Sequence, residues 1–416
     1  MEEQLAEKKA FKEKQLNMLE NVLLGIAGFL ALGVLTLLFT RLLRKLRSAD
    51  RPEELLRTDP LILYMINRRG KMDSYAFLVG LYSLVEKGKA TVRTEQNAGR
   101  FLKDDQSSDQ TLYFTLTALE TSLSKCEHVL VSWLFKRKAK NGNPVFLMSD
   151  IAGASSQQRN NPQHLNNYHT KYKLFKDNEK EWFACVLNEV KEEGMMSDKM
   201  SKLVGRGLML ILVSAMVYAY YLDSLSTAAI VIYSITAGFL LIRSWLKPGR
   251  KLFFMLFYLV SLIASVMLYD AEALTLLLIT TVFSAMVTLL MPHMTLSGEA
   301  VAIEHDIQAF KKQLKLERFP DQISSQSDKW MIRSLLFKQK RQSRSLEKEF
   351  DGDEKSAAPL TYLIATGQNP VEFLVNTWKW SIPPGSSSSS SVSGDSGYSG
   401  GGDSGGGSDG GGASAD

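Results

Sequence analysis

The stretch from Gly207 to Met291 limits what this chain can fold into more than any other. It divides into four apolar segments, 207–222, 225–242, 252–269 and 273–291, with charges confined to the tips and to the loop RSWLKPGRK at 243–251. A helix crosses the hydrocarbon core of a bilayer with about 20 apolar residues, and about 17 suffice. A water-soluble helix of that length keeps a polar stripe, and none of the four has one. Four in succession predict a membrane block. The remainder is polar enough to bring the mean hydropathy of the whole chain to −0.08.

Residues 1–20 mix four lysines with five glutamates, and Asn21 to Thr40 follow as an uncharged apolar run. A cleavable signal peptide needs a short basic start and a small-residue cleavage site. The pattern instead predicts an uncleaved membrane anchor at 21–40, the fifth membrane helix. Arg41, Arg44, Lys45, Arg47 and Arg51 follow it, and Arg243, Lys247, Arg250 and Lys251 fill the middle loop of the block. The hairpin tips carry only Asp223, Asp270 and Glu272. Positive loops stay inside. Five helices then place the N-terminus outside and the C-terminus inside, with 41–206 and 292–416 both cytoplasmic at the cell membrane. The net charge of +5 is explained by these membrane-flanking residues without invoking nucleic acid. The Asp223-Ser224 turn is tight enough that 207–242 could also form a re-entrant hairpin.

The region 41–206 reads as α+β. LILYMINRR (61–69) and SYAFLVGLYSLVEKGK (74–89) have helical apolar spacing, while ATVRTE (90–95) and TLYFTLT (111–117) alternate like strands. Helix, helix, strand, loop, strand is the order of a winged-helix unit. A degenerate second unit follows: a helix at 122–138, a strand at 143–151 and a long amphipathic helix at 169–196. Winged helices often read DNA through a major-groove helix. Here that helix, AFLVGLYSLVEKGK, lacks the Arg, Asn or Gln side chains that reach base edges. The pattern therefore favours a protein-contact module and disfavours nucleic acid. Cys126 and Cys185 both fall in this region, where thiols stay reduced. They are expected to be half-buried core residues with no disulfide.

Residues 292–382 form a basic helical region. Ile303, Ile307, Phe310 and Leu314 share one helical face. Lys and Arg are dense from Lys311 to Lys348, which suits retention on the inner side and contact with anionic lipid. APLTYLIATGQNPVEFLVNTWKW (358–380) is expected to pack back on the cytoplasmic body or the membrane surface. From 383 to 416 the composition is Gly, Ser and Asp, which cannot bury a core and predicts a disordered tail.

Several stretches taken together resemble one family. They are DPLILYMINRRGKMDSYAFLVGLYSLVEKGKATV after a basic helix end, SKCEHVLVSWLF, the paired membrane hairpins, TLSGEAVAIEHDIQAFKKQLKLER, and APLTYLIATG with a following Trp and a glycine-rich end. Their order over roughly 41–412 resembles the C-terminal part of the YciQ-like predicted bacterial membrane proteins, a domain-of-unknown-function family. The resemblance implies a multi-pass architecture and a membrane location, with no settled activity. It also implies a β-rich extracytoplasmic domain before the first helix, which this chain is expected to lack. The tail departs as well, being rich in Ser and Asp where the family has aromatic residues.

No string of residues carries convincing chemistry. Gly402-Asp403-Ser404-Gly405-Gly406 and Gly397-Tyr398-Ser399-Gly400-Gly401 spell hydrolase nucleophile motifs, but such motifs need a rigid surround that a Gly/Ser tail does not supply. Cys126 with His128, and His164 with His169, lack the paired spacing of a zinc site. Coupled transporters place ionisable groups inside the membrane, and the five apolar segments hold none. They do hold hydroxyls (Ser261, Ser265, Ser284, Thr280, Thr281) and two pairs of small residues, Ser234 with Gly238 and Ser261 with Ser265, suited to helix packing or self-association. The fold expected is mainly α: about five membrane helices, a cytoplasmic winged-helix-like region and a disordered tail. The function expected is a non-enzymatic scaffold or interaction protein without metal or cofactor. A transporter or channel subunit and a membrane-tethered DNA-binding regulator are the alternatives.

Overall fold

The computed structural model describes residues 25–28, 30–36, 38, 52–102, 104, 107–118, 122–160, 162–246, 251–315, 327–337 and 358–381. Helix accounts for 71% of the structure, arranged as a bundle of apolar helices below a folded body. The charged segment 1–20 and the tail 383–416, including both hydrolase-like strings, lie outside the described residues.

The bundle comprises α1 (Gly25–Thr36), α8 (Lys199–Leu222), α9 (Thr227–Leu246), α10 (Lys251–Ser265) and α11 (Ala271–Leu290). Three of these, α8, α9 and α11, are long and apolar enough to cross a membrane. At 20 residues, α9 measures about 30 Å, the thickness of a bilayer core. α8 begins at Lys199, eight residues before the apolar segment read from the sequence, so its apolar part is the far end of a longer helix. α10 is shorter than the 252–269 expected. At its end the Tyr220 hydroxyl donates to the Ala264 carbonyl at 2.7 Å, and the Met267 and Leu268 amides bond three residues back, to Ala264 and Ser265. The Asp223-Ser224 turn is tight, with Ser224 at φ 52°. α1 crosses the bundle closely at Gly33, where an added Cβ would lie 2.6 Å from Val287 Cγ1.

The body is built from both flanks of the bundle. Its first helices are α2 (Pro52–Arg57), α3 (Pro60–Arg68) and α4 (Ala76–Glu86). Asp59 caps α3 by accepting from the Leu61 amide at 2.8 Å, and Pro60 starts it. Gly70 ends the turn beyond it at φ 69° with Leu187 close by. Strands β1 (Ala90–Gln96) and β2 (Gln110–Leu116) flank α5 (Gly99–Leu102). Then come α6 (Lys125–Leu134), β3 (Arg137–Lys138), β4 (Pro144–Leu147) and the long α7 (Pro162–Glu192). The strands form one antiparallel sheet in the order β1-β2-β4-β3. The strands that the sequence assigned to two units therefore share a single sheet, and β3 joins it from the end of the stretch read as the helix 122–138. Phe114 opposite Phe146 joins them, the rings stacked with centroids 6.2 Å apart.

The bundle enters the body through a small clasp. β5 (Met196–Ser197), just before α8, pairs with β6 (Thr295–Leu296), just after α11. Beyond it, α12 (Gly298–Lys315), α13 (Ser327–Leu336), α14 (Pro359–Ala365) and α15 (Pro370–Trp380) complete the core shared with α2–α7. The apolar C-terminal piece does pack back on the body. The Trp378 indole donates to the Ile151 carbonyl at 3.0 Å, and the Gly153 and Ala154 amides donate to Thr377 and Ser381.

Candidate functional site

A cleft with several charged residues in its lining lies between α4, α6 and α7. It measures about 240 Å³ and is lined by residues that include Asp59, Lys87, Lys89, Glu127, Cys126 and Trp182. Local sequence positions each wall. Gly80 leaves room on α4 for Trp182, since a Cβ there would sit 2.5 Å from the indole. Ser124 and Glu127 form a capping box that starts α6 and turns the Glu127 carboxylate toward α4.

The charges in the cleft are paired with one another. The Lys87 ammonium lies 2.7 Å from Asp59 and 3.1 Å from Glu127, and Lys89 bonds the second Glu127 oxygen. Burial pulls the Lys87 pKa down, but hydrogen bonds and charge from Asp59 and Glu127 outweigh it and hold it above its usual value. Burial likewise pushes the Glu127 carboxyl up, and Lys89, the Ser124 amide and Lys87 together bring it below its usual value. The two shifts agree, as a committed ion pair requires. Ser83 donates to Asp59 at 2.8 Å. Glu189 stands at the wall with its pKa raised, by burial first and by the neighbouring Glu193 second.

Cys126 and Cys185 are joined as a disulfide that ties α6 to α7. The expectation of two reduced thiols is corrected here. Packing of α6 on α7 brings the two Cα atoms to 5.6 Å, within bonding range, although 59 residues separate them in sequence. Bridging so long a loop restricts the unfolded chain by roughly 4 kcal/mol in the chain-entropy treatment. With Cys126 in the bridge, its pairing with His128 as metal ligands has no basis. His164 and His169 both lie on α7, and no metal-holding cluster occurs among the described residues.

Two further buried polar centres escaped the sequence. Arg333 is fully buried, bonds Glu86 with both terminal nitrogens at 2.6 and 2.9 Å, and donates to the carbonyls of Leu55, Leu56 and Thr58. Its only signal was its place inside the apolar string WMIRSLLF (330–337). Glu179 is also fully buried. It accepts from Lys176 at 2.7 Å, and burial raises its pKa despite that partner. The Lys176 ammonium sits over the rings of Tyr172, Phe175 and Trp378 at 5.4–5.9 Å, so aromatic faces share its charge.

α4, the helix that would read DNA in a winged helix, is buried continuously from Ala76 to Leu84 and cannot enter a groove. Within the apolar segments, the polar side chains among the described residues are hydroxyls. Thr36, Ser214, Thr236, Thr275 and Thr280 each donate to the carbonyl four residues earlier, which satisfies a hydroxyl in a lipid setting. Ser265 also bonds back, to the Ser261 carbonyl, and Tyr258 meets Thr288 at 2.8 Å. Thr281 and Ser284 are fully buried, and their hydroxyls have no partner among the described residues. Ser261 and Ser265 do lie at a helix contact, fully buried. Gly238 does not, because no atom of the structure comes within 4 Å of a Cβ built there; Tyr233, Ala237 and Leu240 form that seam instead.

No family model, curated protein or solved structure matches the chain. The three long apolar helices are compatible with a membrane protein.

Proposed function

We propose that this chain is a multi-pass membrane protein that holds one folded body against the cytoplasmic face as a contact platform for another protein. The single observation that carries this is the way the body is closed. Segments from before and after the bundle share one core, and β5 with β6 clasps the two chain crossings where the bundle enters it. Such a body has a fixed stance relative to the membrane, as a platform needs. α1 and α10 complete a five-helix bundle in this proposal, and the basic loop at 243–251 sets its direction. Kinship with the YciQ-like membrane proteins belongs to the same proposal and rests on the order of motifs.

The outside of the bundle suits lipid. Ile232, Ile235, Phe239, Ile263, Phe283 and Met286 are all more than half exposed. Trp245 at the body end, held under the Arg206 guanidinium, and Tyr221 and Tyr269 at the far end fit the two interfacial belts of a bilayer. The absence of ionisable side chains from the apolar segments weighs against a coupled transporter.

Photo-crosslinking from the outer face of α7, at Lys173 and Leu174, tests the role in intact cells. A discrete protein adduct is expected there, with lipid adducts alone from Ile235 on α9. Absence of a protein adduct at α7, together with solute flux through vesicles holding the purified chain, would overturn it.

A further inference from the structure

We propose that the Cys126–Cys185 bridge is a thiol–disulfide exchange site, a clamp between α6 and α7 that small soluble thiols open and small disulfides close. The two sulfurs are placed unequally. Cys126 is 4% exposed and is the second residue of α6, directly inside the capping box of Ser124 and Glu127. Amide groups and the dipole at a helix N-terminus stabilise a thiolate. Cys185 lies in the C-terminal third of α7 and is only partly buried, so an incoming thiolate reaches its sulfur first. The geometry thus pairs an accessible sulfur with a good leaving group, the two properties that speed exchange. The cleft adds a third observation. Cys126 lines it, and its 240 Å³ gives the released side chain a space to turn into.

The chemistry balances with two molecules of a low-molecular-weight thiol. The first, as thiolate, attacks the Cys185 sulfur; the sulfur–sulfur bond breaks and its electron pair leaves on Cys126. The second attacks the small-thiol sulfur of the mixed disulfide and releases Cys185. The small thiols leave as their own disulfide, two electrons have entered the protein, and the two protein thiolates take up protons as the solution pH dictates. The reverse sequence, driven by a small disulfide, closes the clamp. Opening removes the covalent tie between the cleft wall on α6, with Glu127 and its lysine partners, and the wall on α7, with Trp182 and Glu189.

The test uses the full chain purified in detergent, so it stands apart from which side of the membrane the body occupies. The native protein is equilibrated with reduced and oxidised glutathione in varied ratio, quenched in acid, and its thiols counted by maleimide mass shift. The expected result is a reversible transition in which both thiols are gained and lost together, without denaturant. With oxidised glutathione, the Cys126→Ser protein should form an adduct at Cys185 at least several-fold faster than the Cys185→Ser protein forms one at Cys126. A bridge reduced only after unfolding would make it an inert structural disulfide and overturn the proposal. Two thiols that never close under oxidised glutathione, or an adduct formed faster at Cys126, would overturn it equally. The wild-type titration stands even if a variant fails to fold.

Discussion

In the body, a guanidinium and several carboxylates are taken out of water beside directed polar partners: Arg333 with Glu86, Lys176 with Glu179, and Asp328 with Tyr82 and Thr361. In the bundle the same job falls to hydroxyls, as in Tyr258 with Thr288 and Tyr220 with the Ala264 carbonyl. Under the membrane placement proposed above, the difference follows from the two solvents. Water drives apolar surface together but does not say which distant segment goes where. A body assembled from residues 52–196 and 294–381 gains its register from directed polar pairs. Apolar helices in lipid have no such driving force between them, and small residues and hydroxyls settle their packing. A buried pair need not add net stability over an apolar one, but breaking it is costly.

That contrast can be broken most sharply at Arg333. Arg333→Met leaves Glu86 and four backbone carbonyls without this donor, and a loss of about 3–5 kcal/mol is expected. Chemical unfolding should report it, with early proteolysis of 327–381. A loss below one kcal/mol would remove the idea that this pair fixes the register. Gly153→Ala comes next. An added Cβ would lie 2.4 Å from the Thr377 carbonyl oxygen, and backbone has little room to retreat. Overpacking should cost about 1–3 kcal/mol and free α15, visible as faster hydrogen exchange over 370–380.

Asp198 probes the junction between the two regions. Burial pushes its carboxyl up, but the bonds from Lys202 and Lys191 dominate and hold it at about 2 against an ordinary 3.8. The folded pKa is the lower one, so the stabilisation is complete above pH 4 or so and disappears as the pH falls toward 2. Asp198→Asn should remove on the order of 1 kcal/mol at neutral pH, given partial solvent screening, and flatten that acid limb of the melting curve. An unchanged limb would show that the clasp does not depend on the ion pairs. The smallest effect belongs to the bundle. Tyr258→Phe should cost about 0.6 kcal/mol in detergent unfolding. A cost rivalling that of Arg333→Met would erase the distinction between the two regions.

Much of the local structure was legible. Alternation found β1 and β2 almost to the residue, and apolar spacing found α3, α4 and α6. What could not be read was which distant pieces meet. Arg333 sat within a run of basic residues whose charge explained itself at the membrane, and only the apolar letters around it hinted at burial. The disulfide was missed because compartment chemistry argued for thiols, while the proximity of the cysteines depends on how α6 crosses α7. The strand at β4 was read, but the common sheet was hidden because β3 holds two residues, too few for a period to show, and because pairing between β2 and β4 leaves no local mark. In the bundle, composition marked the helices, but not that α10 would end beside Ala264, whose carbonyl accepts from Tyr220 on another helix.

The most direct measurement is sidedness. In a Cys126→Ser, Cys185→Ser background, Asn141→Cys places a thiol on the β3–β4 turn of the body, and Tyr269→Cys places one on the far tip, where the native side chain is 83% exposed. Both are treated with a membrane-impermeant maleimide in sealed vesicles of known orientation. The proposed topology puts them on opposite faces, Asn141→Cys inside and Tyr269→Cys outside. Labelling of both from the same face would contradict it.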